Sequence, residues 1–151
     1  MMKIRRATLD DAKRISYLIC KLTEPNPNNY SKKQKIAWKK FNSPSGIKKQ
    51  IKKRIVFCAF ENNRLLGTIA LKDNGVVGFN VGFNIRGKGV GSKMLNYLES
   101  LARKKGMKKL TLTSTTSAFD FYKKRGFKPK KKVVLRIYGV DFPEIHMEKI
   151  V

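Results

Sequence analysis

The stretch Gly78–Leu101, GFNVGFNIRGKGVGSKMLNYLESL, constrains the fold more than any other part of the chain. Upstream of its centre, Val76–Phe83 is apolar, dotted with glycine and bounded by Asp73-Asn74-Gly75, the pattern of a buried strand. Downstream, Val90, Met94, Leu98, Leu101 and Ala102 fall on one helical face, so a helix follows at once. Between them lies Arg86-Gly87-Lys88-Gly89-Val90-Gly91-Ser92. A strand that enters a helix through such a turn leaves the first N–H groups of the helix unpaired and aimed at one place. The helix dipole adds partial positive charge there, which makes the turn a ready phosphate cradle. Glycine lets a ligand oxygen approach the backbone closely, and Arg86 and Lys88 add full charges.

The run is not G-x-G-x-x-G, because Ser92 stands where the third glycine would be. It is not G-x-x-x-x-G-K-[ST] either, because Gly89 follows Gly87-Lys88. It satisfies R-x-x-G-x-G through Arg86, Gly89 and Gly91, with Val81 upstream. That pattern resembles the pyrophosphate loop of the GNAT superfamily of N-acetyltransferases, which bind acetyl-CoA. A second stretch, Ala118-Phe119-Asp120-Phe121-Tyr122-Lys123-Lys124-Arg125-Gly126-Phe127, is similar to the family's A-x-x-F-Y-x-x-x-G-F segment. Tyr30, Ser31, Gln34 and Trp38 also resemble the acceptor-side helix of one GNAT subgroup. The resemblance extends from the N-terminal strand to the closing strand at Phe142-Pro143, nearly the whole chain.

Periodicity and turn chemistry order the remaining elements. Met2–Thr8 reads as a strand, and Thr8 can cap a helix striped by Leu9, Ala12, Ile15, Leu18, Ile19 and Leu22. The prolines and asparagines of residues 23–29 make a loop. Ser31 and Gln34 have capping-box spacing and open a helix through Trp38, and Ser43-Pro44 starts another. Ile55–Glu61 and Arg64–Leu71 form a hairpin about Asn62-Asn63. The helix after the glycine turn stops at Gly106, and Lys109–Thr113 is the next strand, parallel to Val76–Phe83 through a right-handed crossover. Ala118–Arg125 is a short helix, and Val133–Tyr138 with Phe142–Ile150 close the chain as a hairpin. The expected fold is α/β, one domain over residues 1–151. Its sheet is mixed, mostly antiparallel and of about seven strands, with helices on both faces. By the resemblance, its central parallel pair is splayed to admit CoA.

The chain carries 35 Lys or Arg against 10 Asp or Glu, a net charge of +25. Such a charge suits a polyanion, but a lysine-rich solvated surface explains it as well. No apolar run is long enough to span a membrane, and the N-terminus lacks a signal-peptide core, so a soluble cytoplasmic protein is expected. Cys20 and Cys58 are expected as buried free thiols, and no metal-ligand spacing can be assembled.

The resemblance implies a site. The pantetheine arm of acetyl-CoA would pair with the backbone of Val81 and Phe83, and the diphosphate would sit on amides from Gly87 to Ser92 beside Arg86. Thr115, Ala118 and Phe121 would border the coenzyme, although Phe119 and Phe121 also read as core. Tyr122 would stand near the thioester sulfur, where a phenol with pKa near 10 can protonate the departing thiolate. Tyr30, Trp38 and Asn80 would face the acceptor, a primary amine of a small molecule or a protein. That amine must be neutral to attack. Many GNAT members place a glutamate on the fourth strand to take its proton, and Val76–Phe83 carries no acid. Asp120, Glu99 and His146 are the alternative bases. Local positive charge, which lowers the pKa of a nearby amine, is a substitute. The leading expectation is direct acetyl transfer in a ternary complex by a monomer or homodimer. Its rivals are a nucleic-acid or ribosome-associated basic domain, built on residues 31–54 and on Lys128, Lys130, Lys131, Lys132 and Arg136, and a CoA-binding protein without turnover.

Overall fold

The computed structural model describes residues 1–85 and 87–151. The strands are β1 (Lys3–Arg6), β2 (Ile55–Glu61), β3 (Arg64–Lys72), β4 (Gly75–Val81), β5 (Lys109–Ser114), β6 (Lys128–Ile137) and β7 (Val140–Ile150). The helices are α1 (Ala12–Thr23), α2 (Lys32–Phe41), α3 (Pro44–Lys53), α4 (Val90–Lys104) and α5 (Phe119–Lys124), with 3-10 turns at Leu9–Asp11 and Phe83–Ile85. The sheet runs β1-β2-β3-β4-β5-β7-β6, with β4 and β5 parallel and every other neighbouring pair antiparallel.

Strand alternation divides the core between the two faces. Val56 and Cys58 of β2 point to one face, where Ile15 and Ile19 of α1 and Ile47 of α3 cover them. Phe57 and Ala59 point to the other, against Met94, Leu95, Leu98 and Ala102 of α4. The helix starts are those the sequence marks. Ser31 N–H donates to Gln34 Oε1 at 2.8 Å while Gln34 N–H donates to Ser31 Oγ at 3.2 Å, and Ser43 Oγ accepts from Gly46 N–H. Gln34 Nε2 also donates to the Asp141 carbonyl at 3.0 Å, which ties α2 to β7. Asn62 and Asn63 both hold positive φ, as the tight β2–β3 turn requires.

The site begins with a defect in β4. Between the pairs Thr68–Asn80 and Ala70–Val77, β3 advances two residues and β4 three. The extra residue is a bulge at Gly78–Phe79, where Gly78 takes φ +53°. A bulge bends and twists its strand. Accordingly β4 meets β5 in register only at Gly75–Thr111, braced by Thr111 N–H to the Asn74 carbonyl at 2.9 Å. Beyond that pair the two strands part.

Three expectations need correction. Phe83 is not in the strand. β4 ends at Val81, Gly82 N–H bonds the Leu66 carbonyl, and the chain turns through Phe83–Ile85 so that Ile85 enters the core. An apolar run alone does not distinguish a strand from a buried turn. β6 starts at Lys128 rather than Val133, because β7 is long enough to pair with it; Pro129 and the lysines are tolerated on an edge strand. Tyr30 stands just ahead of α2, before the Ser31 cap. Cys20 is half-buried, whereas Cys58 is fully buried and its thiol is pushed up to about 12 by desolvation.

Candidate functional site

Where β4 and β5 part, a cavity of about 820 Å³ opens. Among the described residues the glycine turn and α4 contribute nothing to its lining; they approach it through Val81, whose Cγ2 would lie 3.6 Å from a Cβ on Gly91. Gly87 and Gly89 hold left-handed φ of +82° and +77°, and a Cβ added to either would meet nothing within 4 Å, so the space before the helix is open. Among the described residues the amides of Gly89, Val90, Gly91 and Ser92 find no acceptor, which leaves four donors at the dipole's positive end. Lys88 is exposed beside them, while Arg86 lies outside the described residues. The donors and the open space fit a diphosphate.

Gly91 has a different reason to be glycine. An added Cβ would stand 3.3 Å from Phe121 Cζ and 3.6 Å from Val81 Cγ2, so the helix end packs directly on α5 and β4. Arg125 locks that junction. Its Nε and Nη2 donate to Ser92 Oγ at 3.0 and 2.6 Å, its Nη1 donates to the Phe121 carbonyl, and its guanidinium stacks 3.6 Å above the Phe121 ring. Ser92 Oγ thus accepts twice from Arg125, while its amide and its hydroxyl proton have no acceptor among the described residues. Phe121 is a packing residue between Gly91 and Phe79. Val81 pairs with Gly67, and the next N–H, from Gly82, goes to β3; by strand alternation Val81 turns its own amide and carbonyl toward the gap.

Tyr122 is 8% exposed, wedged among Phe79, Phe121 and Phe127. Its hydroxyl has no hydrogen-bond partner among the described residues, yet the residue lines the cavity. Burial, with the charge of Glu144 adding, pushes the phenol well above its ordinary value, so it stays protonated at any physiological pH. Thr115 and Ala118 line the same wall. The Ser114 hydroxyl and Ala118 N–H both donate to the Thr115 carbonyl, and Ser117 Oγ bonds Asn28 Oδ1 at 2.6 Å, joining the α1–α2 loop to the start of α5.

Glu144 of β7 is the acid on the cavity wall. Burial raises its carboxyl above the usual range, and a hydrogen bond with Thr113 partly opposes the rise. None of the three acid–base candidates from the sequence reaches this place. Glu99 is tied to Lys149 at 2.9 and 3.0 Å on the α4 face, His146 bonds Glu148 at 2.8 Å, and Asp120 is exposed. Glu144 is separated from the glycine turn by more than fifty residues and comes beside Tyr122 only through β5–β7 pairing. One signal for it was present: with Phe142 facing the core, an acid two residues on along the strand shares its face.

Tyr30 and Trp38 give the same cavity an aromatic wall. Tyr30 meets Phe142 edge-on at 5.2 Å and Trp38 at 6.4 Å, and Trp38 lies 6.0 Å from Phe142. Tyr30 is held from both sides by Asn26, whose Oδ1 accepts from its N–H at 2.7 Å and whose Nδ2 donates to its carbonyl. Desolvation pushes its phenol up to about 12. Asn80 lines the cavity and donates to Thr68 Oγ1 at 3.3 Å, leaving its carbonyl oxygen for a ligand.

A family model described as an acetyltransferase (GNAT) domain matches residues 27–150. Among solved structures, a GCN5-related N-acetyltransferase from Rhodopseudomonas palustris superposes with a TM-score of 0.90 at 22% identity, over 99% of this chain and 95% of its own. The PaiA N-acetyltransferase from Thermoplasma acidophilum, solved in complex with coenzyme A, gives 0.83 at 21% identity over 100% and 99%. An N-acetyltransferase from Staphylococcus aureus gives 0.77 at 21% over 99% and 97%. At these identities the structures establish the shared fold. No curated protein sequence matches the chain.

Proposed function

Because the chain belongs to the GNAT acetyltransferase family, we propose that residues 1–151 act as one domain that transfers the acetyl group of acetyl-CoA to a primary amine by direct attack in a ternary complex. One observation carries this reading: where β4 and β5 part, one cavity is lined by both Tyr122 and Glu144, and Val81 on its wall packs toward the start of α4, whose first amides have no acceptor among the described residues. The amides of Gly89–Ser92 hold the diphosphate, with Lys88 and Arg86 adding charge, and the free backbone of Val81 holds the pantetheine arm. Phe83, turned out of the strand, borders that arm rather than extending the ladder.

The amine's lone pair forms the C–N bond at the thioester carbonyl, the C–S bond then breaks, and one proton must leave nitrogen as sulfur gains one. Glu144 takes the proton from nitrogen. Its raised pKa makes it a better base than an exposed carboxylate. The Tyr122 hydroxyl donates to the sulfur as negative charge develops. A phenol this basic gives up its proton fully only at a cost of at least about 2 kcal/mol against a thiol of pKa near 8.5, so its main work is hydrogen-bond stabilisation of the departing thiolate. Tyr30, Trp38 and Asn80 flank the acceptor.

Titration calorimetry with acetyl-CoA, followed by turnover measured as thiol release from wild type and Tyr122→Phe, tests the assignment. Binding of acetyl-CoA by both and loss of turnover in the variant are expected. A wild-type protein that binds no acetyl-CoA refutes the proposal.

A further inference from the structure

Arg54 has no role in the chemistry above. It is the C-cap of α3, half-buried, and its guanidinium lies on the cavity wall against the β4 bulge, where a Cβ on Gly78 would stand 3.5 Å from Nη1. The group is placed by a chain of amides. Asn42 Nδ2 donates to the Trp38 carbonyl, Gln50 Nε2 donates to Asn42 Oδ1 and the Phe41 carbonyl, and Arg54 Nη1 donates to Gln50 Oε1 at 3.1 Å. The last turn of α2 and the body of α3 thus hold the fork in one orientation.

No carboxylate answers it. Among the described residues no Asp or Glu oxygen lies within 4.0 Å of Arg54, and burial lowers its pKa with no opposing charge contribution. Lys49 and Lys53 line the same cavity, in which Glu144 is the one acid among the described lining residues. The carbonyls at the end of α3 offset part of the charge, on the scale of about half an elementary charge. They leave most of the guanidinium's five donors open. A preorganised, partly desolvated arginine without an anion is costly unless the ligand brings one.

Building on the acetyl-transfer reading, we propose that the acceptor is a small amine with an anionic group of its own, a carboxylate or a phosphate, which the Arg54 fork binds while the amine is directed to Glu144 and Tyr122. The enzyme would then discriminate against polyamines and neutral amines, which place nothing on Arg54 or bring positive charge to it.

Matched acceptors test this with thiol release at saturating acetyl-CoA. Phenylalanine, methionine and glutamate are compared with their carboxamides and decarboxylated amines, O-phosphoethanolamine with ethanolamine, and spermidine is included. For the scaffold used best, the anionic form should exceed its neutral counterpart by about 10- to 100-fold in kcat/KM, the scale of a charge-assisted hydrogen-bond pair. The series that carries the preference identifies the anion. Arg54→Gln should bring that ratio close to one and Arg54→Lys should keep part of it, with acetyl-CoA affinity confirming that each variant is folded. Preference for a neutral amine or spermidine overturns the proposal, as does a panel in which no anionic amine is acetylated. A ratio unchanged in Arg54→Gln overturns it too. Failure to bind acetyl-CoA would instead remove the underlying transferase reading.

Discussion

Replacing Glu144 by Gln separates the proton-accepting role proposed for this residue from its packing. The amide keeps the shape and an oxygen for Thr113 but cannot take a proton. Loss of a positioned general base costs about 10²- to 10⁴-fold in rate, or roughly 3–5 kcal/mol at 1.36 kcal/mol per decade. The pH dependence has a definite sign. Burial raises the Glu144 pKa above 4.5, so the competent carboxylate is lost as pH falls through that raised value. Wild type should therefore show an acid limb displaced upward from the ordinary carboxylate range, and the Gln variant should instead track the acceptor amine alone. Stability should move the other way. A carboxyl whose folded pKa is raised destabilises the fold only when ionised, so the penalty is absent in acid and complete above the raised pKa. The neutral amide escapes it, and at pH 7.5 the variant should melt at or above the wild-type temperature, each kcal/mol being worth about 2–4 °C in a chain of this size. Thiol release from pH 5 to 9 and differential scanning calorimetry read the two halves. A Gln variant within threefold of wild type across that range, or one that is slow only because it melts early, refutes the assignment.

Tyr122→Phe should lower kcat by about 10²-fold, the loss of one preorganised donor, with acetyl-CoA affinity and melting temperature almost unchanged because the hydroxyl has no partner among the described residues to lose. Gly91→Ala forces a methyl to 3.3 Å from the Phe121 ring, so it should destabilise by about 1–3 kcal/mol and weaken acetyl-CoA binding as the end of α4 shifts; calorimetry that finds both intact would contradict the packing account. Asp11, buried and gripped by Arg5 at 2.8 and 2.9 Å, is held down to about 2 from 3.8, so its contribution is complete above pH 3.8 and fades as pH falls through about 2. Asp11→Asn should cost about 1–2 kcal/mol at pH 7, discounted because Arg5 is half in water, and almost nothing near pH 2 in urea unfolding.

Where a feature depends on neighbours along the chain, it was legible before the structure. The helix start after Thr8, the capping box at Ser31, the Asn62-Asn63 turn, the stripe from Val90 to Ala102 and the glycine turn before it are all local patterns, and each stands where periodicity and turn chemistry put it. The crossover between β4 and β5 followed from handedness. The β6 boundary was not legible, because an edge strand of lysines has no alternation of its own and exists through its partner. Nor was the end of β4, where a core residue, Ile85, draws the chain into a turn.

The amino-acid order alone determined that strand, glycine turn and helix would present unpaired amides in one direction, since backbone valence and helix geometry leave no other arrangement. Only the tertiary structure decided which side chains would gather beyond them. A one-residue bulge at Gly78–Phe79 parts two strands, the β5–β7 pairing carries Glu144 to Tyr122, and a chain of amides from α2 turns Arg54 inward. The physical reason is that charge and proton chemistry depend on separation in space and on desolvation. Both are set by how strands pair and diverge, and residue spacing along the chain does not carry them.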